Sequence, residues 1–131
     1  MAGQLGENTV LDSTFHPPII TRLHYEFDGW LGDDILESFP CFICSQRLTD
    51  HLKNSNLTGF VFKNCEVTKS DQFFDLYPRV SLPVFYWFIV GNDRGNDFFL
   101  LPDASLVVSE DALEALKKFQ ILHCDIKEFI E

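Results

Sequence analysis

Phe42-Ile43-Cys44-Ser45-Gln46-Arg47-Leu48-Thr49-Asp50-His51-Leu52 is repeated in kind, 64 positions on, by Leu106-Val107-Val108-Ser109-Glu110-Asp111-Ala112-Leu113-Glu114-Ala115-Leu116. In each copy an apolar tripeptide ends in serine, and apolar residues follow three and seven positions later. The tripeptide suits a buried strand. The serine hydroxyl suits the orphan amides of a helix start, and the step of three then four places side chains on one helical face. The same offset then sets Leu57 against Ile121, Phe60 against Cys124 and Phe62 against Ile126. Each copy therefore predicts a strand–helix–strand unit, and two such units predict an α/β (α+β) fold with both helices packed on one mixed sheet.

Working outward, Ile19 to Phe27 alternates β-branched and aromatic residues with Arg22 and Glu26, which predicts one strand. Asp28-Gly29-Trp30-Leu31-Gly32-Asp33-Asp34 reads as a loop that could close into a short helix carrying Ile35 and Leu36. A strand over about 60–67 and a Ser70-capped turn bearing Phe73, Phe74 and Leu76 follow, with Pro78 as the stop. Val84-Phe85-Tyr86-Trp87-Phe88-Ile89-Val90 is unbroken by any polar residue, as expected of a central strand covered on both faces. Gly91 to Asp97 is dense in turn formers and predicts a hairpin joining that strand to Phe98–Leu101. Its acids lack the alternating spacing and closing Glu of a calcium loop. Residues 1–18, ending in His16-Pro17-Pro18, read as a mobile leader, and 19–131 as a single globular domain whose closing strand or tail contains Cys124, Ile126 and Phe129.

The 131 residues include 14 Phe, enough apolar surface for one core. Ten Lys and Arg stand against 20 Asp and Glu, a formal charge of −10 that repels nucleic-acid phosphates and anionic membranes and steers basic proteins inward. Neither a secretory leader nor a bilayer-length apolar run is evident, so a cytoplasmic location is expected.

Cys41 and Cys44 form a C-x-x-C, but residues three apart on a strand face opposite ways. A zinc site drawing on Cys41, Cys44, His123 and Cys124 lacks a second properly spaced pair, and all four cysteines, Cys65 included, read as buried thiols. Histidines 16, 24, 51 and 123 have no partner by spacing, and Ser45 and Ser109 lie in no nucleophile elbow. No cofactor or metal is expected.

The densest acidic group, with no Lys or Arg between Arg22 and Arg47, gives the candidate partner-binding patch: Asp28, Trp30, Asp33, Asp34 and Glu37. Trp supplies contact area, and carboxylates meet Arg or Lys. A hydrolase using paired carboxylates is the catalytic reading of the same residues. A small-molecule or peptide-binding module, its pocket between helices and sheet, is the alternative that the many Phe side chains raise.

Asp28-Gly29-Trp30-Leu31-Gly32-Asp33-Asp34, Phe39-Pro40-Cys41-Phe42-Ile43-Cys44-Ser45-Gln46-Arg47-Leu48, Leu57-Thr58-Gly59-Phe60 and Leu106 to Leu116 together resemble small immunity proteins of bacterial polymorphic-toxin systems, over roughly residues 25–126. The resemblance implies a non-enzymatic protein that binds and neutralises one cognate toxin, which the acidity suggests is basic. It carries no catalytic residue across.

Overall fold

The computed structural model describes residues 3–129. In chain order its elements are β1 (Gly3–Leu5), β2 (Val10–Asp12), β3 (Ile19–Arg22), β4 (His24–Phe27), β5 (Ile35–Ser38), β6 (Cys41–Ser45), α1 (Gln46–Lys53), β7 (Phe60–Lys63), β8 (Glu66–Lys69), α2 (Asp71–Leu76), β9 (Phe85–Val90), β10 (Phe98–Leu100), β11 (Leu106–Val108) and α3 (Glu110–Lys117). The result is an α+β domain of several small sheets rather than one mixed sheet.

Both serines cap as expected. Ser45 Oγ accepts the Leu48 amide and Ser109 Oγ accepts the Ala112 amide, opening α1 and α3. The units are nevertheless hairpin–helix, not strand–helix–strand. β5 pairs antiparallel with β6, and β10 pairs antiparallel with β11, each hairpin feeding its helix. One lock closes both units. Ser45 N donates to Asp34 O at 2.8 Å and Ser45 Oγ to Asp34 Oδ1 at 2.6 Å; Ser109 N donates to Asp97 O at 2.8 Å and Ser109 Oγ to Asp97 Oδ1 at 2.7 Å. Each hydroxyl thus accepts from a helix amide while donating to an aspartate at the foot of the first strand. Past α3 no strand forms among the described residues, and Cys124 and Ile126 are exposed, so the apparent match to Phe60 and Phe62 is accidental.

β9 lies inside a four-stranded antiparallel sheet, order β5-β6-β9-β7. Its two edges are occupied, which is why β10 turns away to pair with β11 instead of extending a hairpin from β9. Alternation along β6 divides the core, with Phe42 and Cys44 on one face and Cys41 and Ile43 on the other. The first face packs Phe88 and Phe98 against Leu48 and Leu52 of α1 and Ala112 and Leu116 of α3. The second packs Ile43 and Phe85 against Leu23, Tyr25 and Phe27 and against Phe73 of α2. Covering on both faces is what the apolar run predicted.

The segment 19–27 breaks at Leu23 into β3 and β4, and 60–69 breaks around Cys65 into β7 and β8, because each half joins a different sheet. β4 is central in the order β1-β4-β8, antiparallel to β1 and parallel to β8, the one mixed sheet. The stretch read as a leader without regular structure therefore supplies β1, paired to β4, and β2, paired to β3. These pairings satisfy backbone groups that three-residue strands of mixed composition give no periodic sign of. Ile35 and Leu36 belong to β5, not a helix, and split between the two core faces as only a strand allows. On α2 only Phe73 is buried; Phe74 and Leu76 are 57% and 60% exposed.

Candidate functional site

Loop 28–34 carries four of the five candidate residues, and Glu37 follows on β5. The structure separates them by environment. Asp34 is 1% exposed and Asp33 4% exposed, so neither is a surface acid. Burial acts to raise the Asp34 carboxyl, but hydrogen bonds from Arg47, Ser45 and the Gln120 amide, with the Arg47 charge, outweigh it and hold the group below the usual carboxylate range. Arg47 Nε reaches Oδ1 and Arg47 Nη2 reaches Oδ2, both at 2.7 Å, while Gln120 N donates to Oδ2 at 2.8 Å. The acidic run without an arginine is thus answered by the arginine that ends it. Asp34 N in turn donates to Gln120 O at 2.8 Å.

Asp33 faces the other way. Its Oδ2 is 2.6 Å from His123 Nδ1, and its Oδ1 is buried without a hydrogen-bond partner. Trp30 Nε1 donates to Asp33 O at 2.8 Å, and the half-buried indole meets Phe85 edge-on at 6.0 Å. Gln120 Nε2 donates to Leu31 O at 2.7 Å. Gly32 makes this approach possible: its φ is +98°, and a Cβ there would stand 2.8 Å from Gln120 Nε2. Loop 28–34 and segment 120–123 are therefore laced together, with Leu31 62% and Leu122 81% exposed on the two laced segments. Asp28 is half-buried and Glu37 exposed, although burial raises the Glu37 carboxyl. Both acids act on the buried Tyr25 hydroxyl, which has no hydrogen-bond partner; desolvation, then Asp28 and Glu37, push it upward.

Of the five residues of the expected partner-binding patch, the structure buries two. Asp33 and Asp34 close the fold, Trp30 is partly core, and Asp28 and Glu37 alone retain exposed carboxylate surface. Sequence reasoning missed Arg47, Gln120 and His123, whose partners are 13, 86 and 90 residues away.

Asp33 and His123 have the form of an acid–base pair, with Cys124 next in sequence. Desolvation, followed by Asp33 and Glu37, raises the Cys124 thiol, which favours its protonated form. Cys41 is pushed up to about 12 and Cys65 to about 11, chiefly by burial, and Cys44 is raised well above the ordinary range. Among the described residues no group of three or more His, Cys, Asp or Glu could hold a metal ion, and no helix is long and apolar enough to cross a membrane. Two hollows open elsewhere, one of about 540 Å³ beside β8 and one of about 700 Å³ lined by Val90, Arg94, Leu100 and Ala104. Compared with known protein families, curated proteins and solved structures, the chain finds no match.

Proposed function

We propose that the protein is a non-catalytic, immunity-type binder that engages one basic protein, a cognate toxin, and neutralises it by occupying its surface. The observation that carries this reading is the laced pair of segments: a loop held rigid from below by Asp34 while Leu31 and Leu122 project into solvent. A loop already fixed by its own hydrogen bonds loses little conformational entropy on docking. Exposed leucines provide apolar anchors, and the formal charge of −10 speeds encounter with a basic partner. Asp28 and Glu37 are the acids of this face.

The test is affinity purification of the full chain from its native extract, with the complex analysed for composition and stoichiometry. One basic protein at one-to-one ratio, whose toxic activity the chain suppresses, is the expected result. Turnover of a substrate by the chain alone, or a complex that leaves the toxic activity intact, contradicts the reading.

A further inference from the structure

We infer that His24 is a pH-operated latch: uncharged, it fastens loop 6–9 across the head of β4, and on taking a second ring proton it releases that loop and with it the short edge strand β1. The latch uses no residue of loop 28–34 or segment 120–123, and the inference holds whether or not those bind a toxin.

His24 opens β4 and is 4% exposed. Its backbone and ring together hold the loop. Gly6 N donates to His24 O at 2.7 Å, Thr9 Oγ1 donates to the same oxygen at 3.0 Å, and His24 N donates to Thr9 Oγ1 at 3.0 Å. Asn8 N donates to His24 Nδ1 at 3.2 Å, and the loop lies so close that a Cβ on Gly6 would collide with that nitrogen. An imidazole nitrogen that accepts an amide hydrogen bond carries no proton, so the single ring proton sits on Nε2, 2.7 Å from Thr68 Oγ1, which accepts it. A second proton can go only to Nδ1. There it stands against the Asn8 N–H, donor against donor, and the burial of the ring leaves little water to separate them.

The charged surroundings set the threshold. Glu66 faces the ring from β8, its Oε2 4.0 Å from Nε2, and favours the added proton; Glu26, two residues along β4 and bound by Gln4 Nε2 at 3.0 Å, acts in the same sense. Arg22, at the end of β3, opposes it and reaches Glu66 Oε1 at 3.4 Å. The groups of loop 6–9 that bond to His24 are uncharged, and the acid of that loop, Glu7, is exposed. Asn8 spans both halves of the device, since its Nδ2 also donates to Glu66 Oε1 at 3.2 Å and Oε2 at 3.1 Å. As the ring charges, Glu66 gains a cation while Asn8 loses its acceptor. Freed from His24, the loop leaves β1 with Gly3, Gln4 and Leu5 alone on β4, too short a strand to hold its place unaided. Its departure uncovers Tyr25, against whose ring Gly3 is packed, and turns β4 from an interior strand into an edge strand. β8 stays, held by Glu66 N donating to Leu23 O at 3.1 Å and Ser70 N to Phe27 O at 2.8 Å.

The test is NMR of the isotope-labelled full chain titrated from about pH 8 to about pH 5, the range over which histidine side chains exchange a proton. At the alkaline end the His24 proton should be on Nε2. As the ring takes its second proton, amide exchange at Gly6 and Asn8, corrected for the intrinsic effect of pH, should rise about tenfold and β1 should follow, while Glu66 and Ser70 stay protected. His24→Asn puts a neutral acceptor where Nδ1 stands and should remove the step. Glu66→Gln keeps an acceptor for Asn8 but removes the carboxylate, and should move the step to lower pH with the latch itself unaltered. A ring that charges without freeing the Asn8 amide, a folded chain whose ring takes no second proton by the acid end, a step that persists in folded His24→Asn, a step unmoved by Glu66→Gln, or loss of the Glu66 and Ser70 amides in the same step would each overturn the inference.

Discussion

Arg47 grips Asp34 with two hydrogen bonds of 2.7 Å, one to each carboxylate oxygen, and so fastens the first turn of α1 to the foot of β5. The carboxylate side chain is 2% exposed and the guanidinium side chain 64%. Asp34 accepts from Ser45 and the Gln120 amide as well as from Arg47, and an asparagine there would turn an NH2 toward one of those donors, so losing the carboxylate should cost more than losing the guanidinium. Asp34→Asn is expected to destabilise the fold by about 2 kcal/mol, below the range for fully buried pairs because Arg47 faces water, and Arg47→Ala by less. Urea denaturation of both variants measures the order; a larger loss for Arg47→Ala would contradict it.

The two Asp–Ser locks give a second comparison. Ser45→Ala and Ser109→Ala each remove a helix cap worth about 1 kcal/mol. Ser45 is 1% exposed whereas Ser109 is only partly buried, so its loss leaves Asp34 Oδ1 short of a donor with less access to replacement water. Ser45→Ala should be the more costly change by thermal denaturation. Equal midpoints would show that the deeper burial of the Ser45 lock adds nothing to its cost.

Acid titration separates Asp34 from Glu37. The folded Asp34 carboxyl lies below its unfolded value, so the stability it adds is complete above about pH 5 and fades as pH falls through the folded value. Glu37 is raised by burial, so its share has the opposite sign: present below about pH 4.3 and lost as pH rises through the folded value. Asp34→Asn should flatten the acid limb of the stability curve, and Glu37→Gln should raise stability near neutral pH. An unchanged acid limb in Asp34→Asn would remove Asp34 from the account.

Thiol labelling tests the reading of the cysteines. At pH 8 the folded chain should react slowly and first at exposed Cys124, with Cys41 and Cys44 reached only after unfolding. Labelling of Cys124 faster than a free thiol would reveal a thiolate and reopen a catalytic role for Asp33 and His123.

Gly59 offers a backbone test. Its φ is +103°, and a Cβ would collide with the Phe98 carbonyl oxygen. Gly59→Ala should cost at least about 1 kcal/mol and disturb the approach of β10 to the Thr58 carbonyl, readable as faster amide exchange at Phe98.

What could be read in the sequence was local. Ser45, Ser70 and Ser109 each cap a helix within three residues, and the apolar spacing of α1 and α3 is intrinsic to a helix, so these elements were legible. The Asp half of each lock was not. Asp34 lies 11 residues before Ser45 and Asp97 lies 12 before Ser109, so a constant register of 64 steps past the match by one position and shifts attention to the strand after the helix. The burial of Asp33 and Asp34 was illegible for a related reason. Charge density marks acids but not their partners, and the groups that bury Asp33 and Asp34 arrive from Arg47, Gln120 and His123 only once the chain has closed. The apolar run 84–90 was legible as an interior strand, yet its neighbours were not, since the sequence does not say which strands fill its edges.

The proposed docking face is tested most directly by the dissociation rate of any basic protein that co-purifies, from Leu31→Ala/Leu122→Ala beside the unchanged chain. Both leucines are exposed, so the variant should keep its thermal midpoint. Release should accelerate by at least about tenfold, as expected when anchor side chains are truncated. An unchanged dissociation rate from a fully folded variant would contradict the assignment of binding to loop 28–34 and segment 120–123.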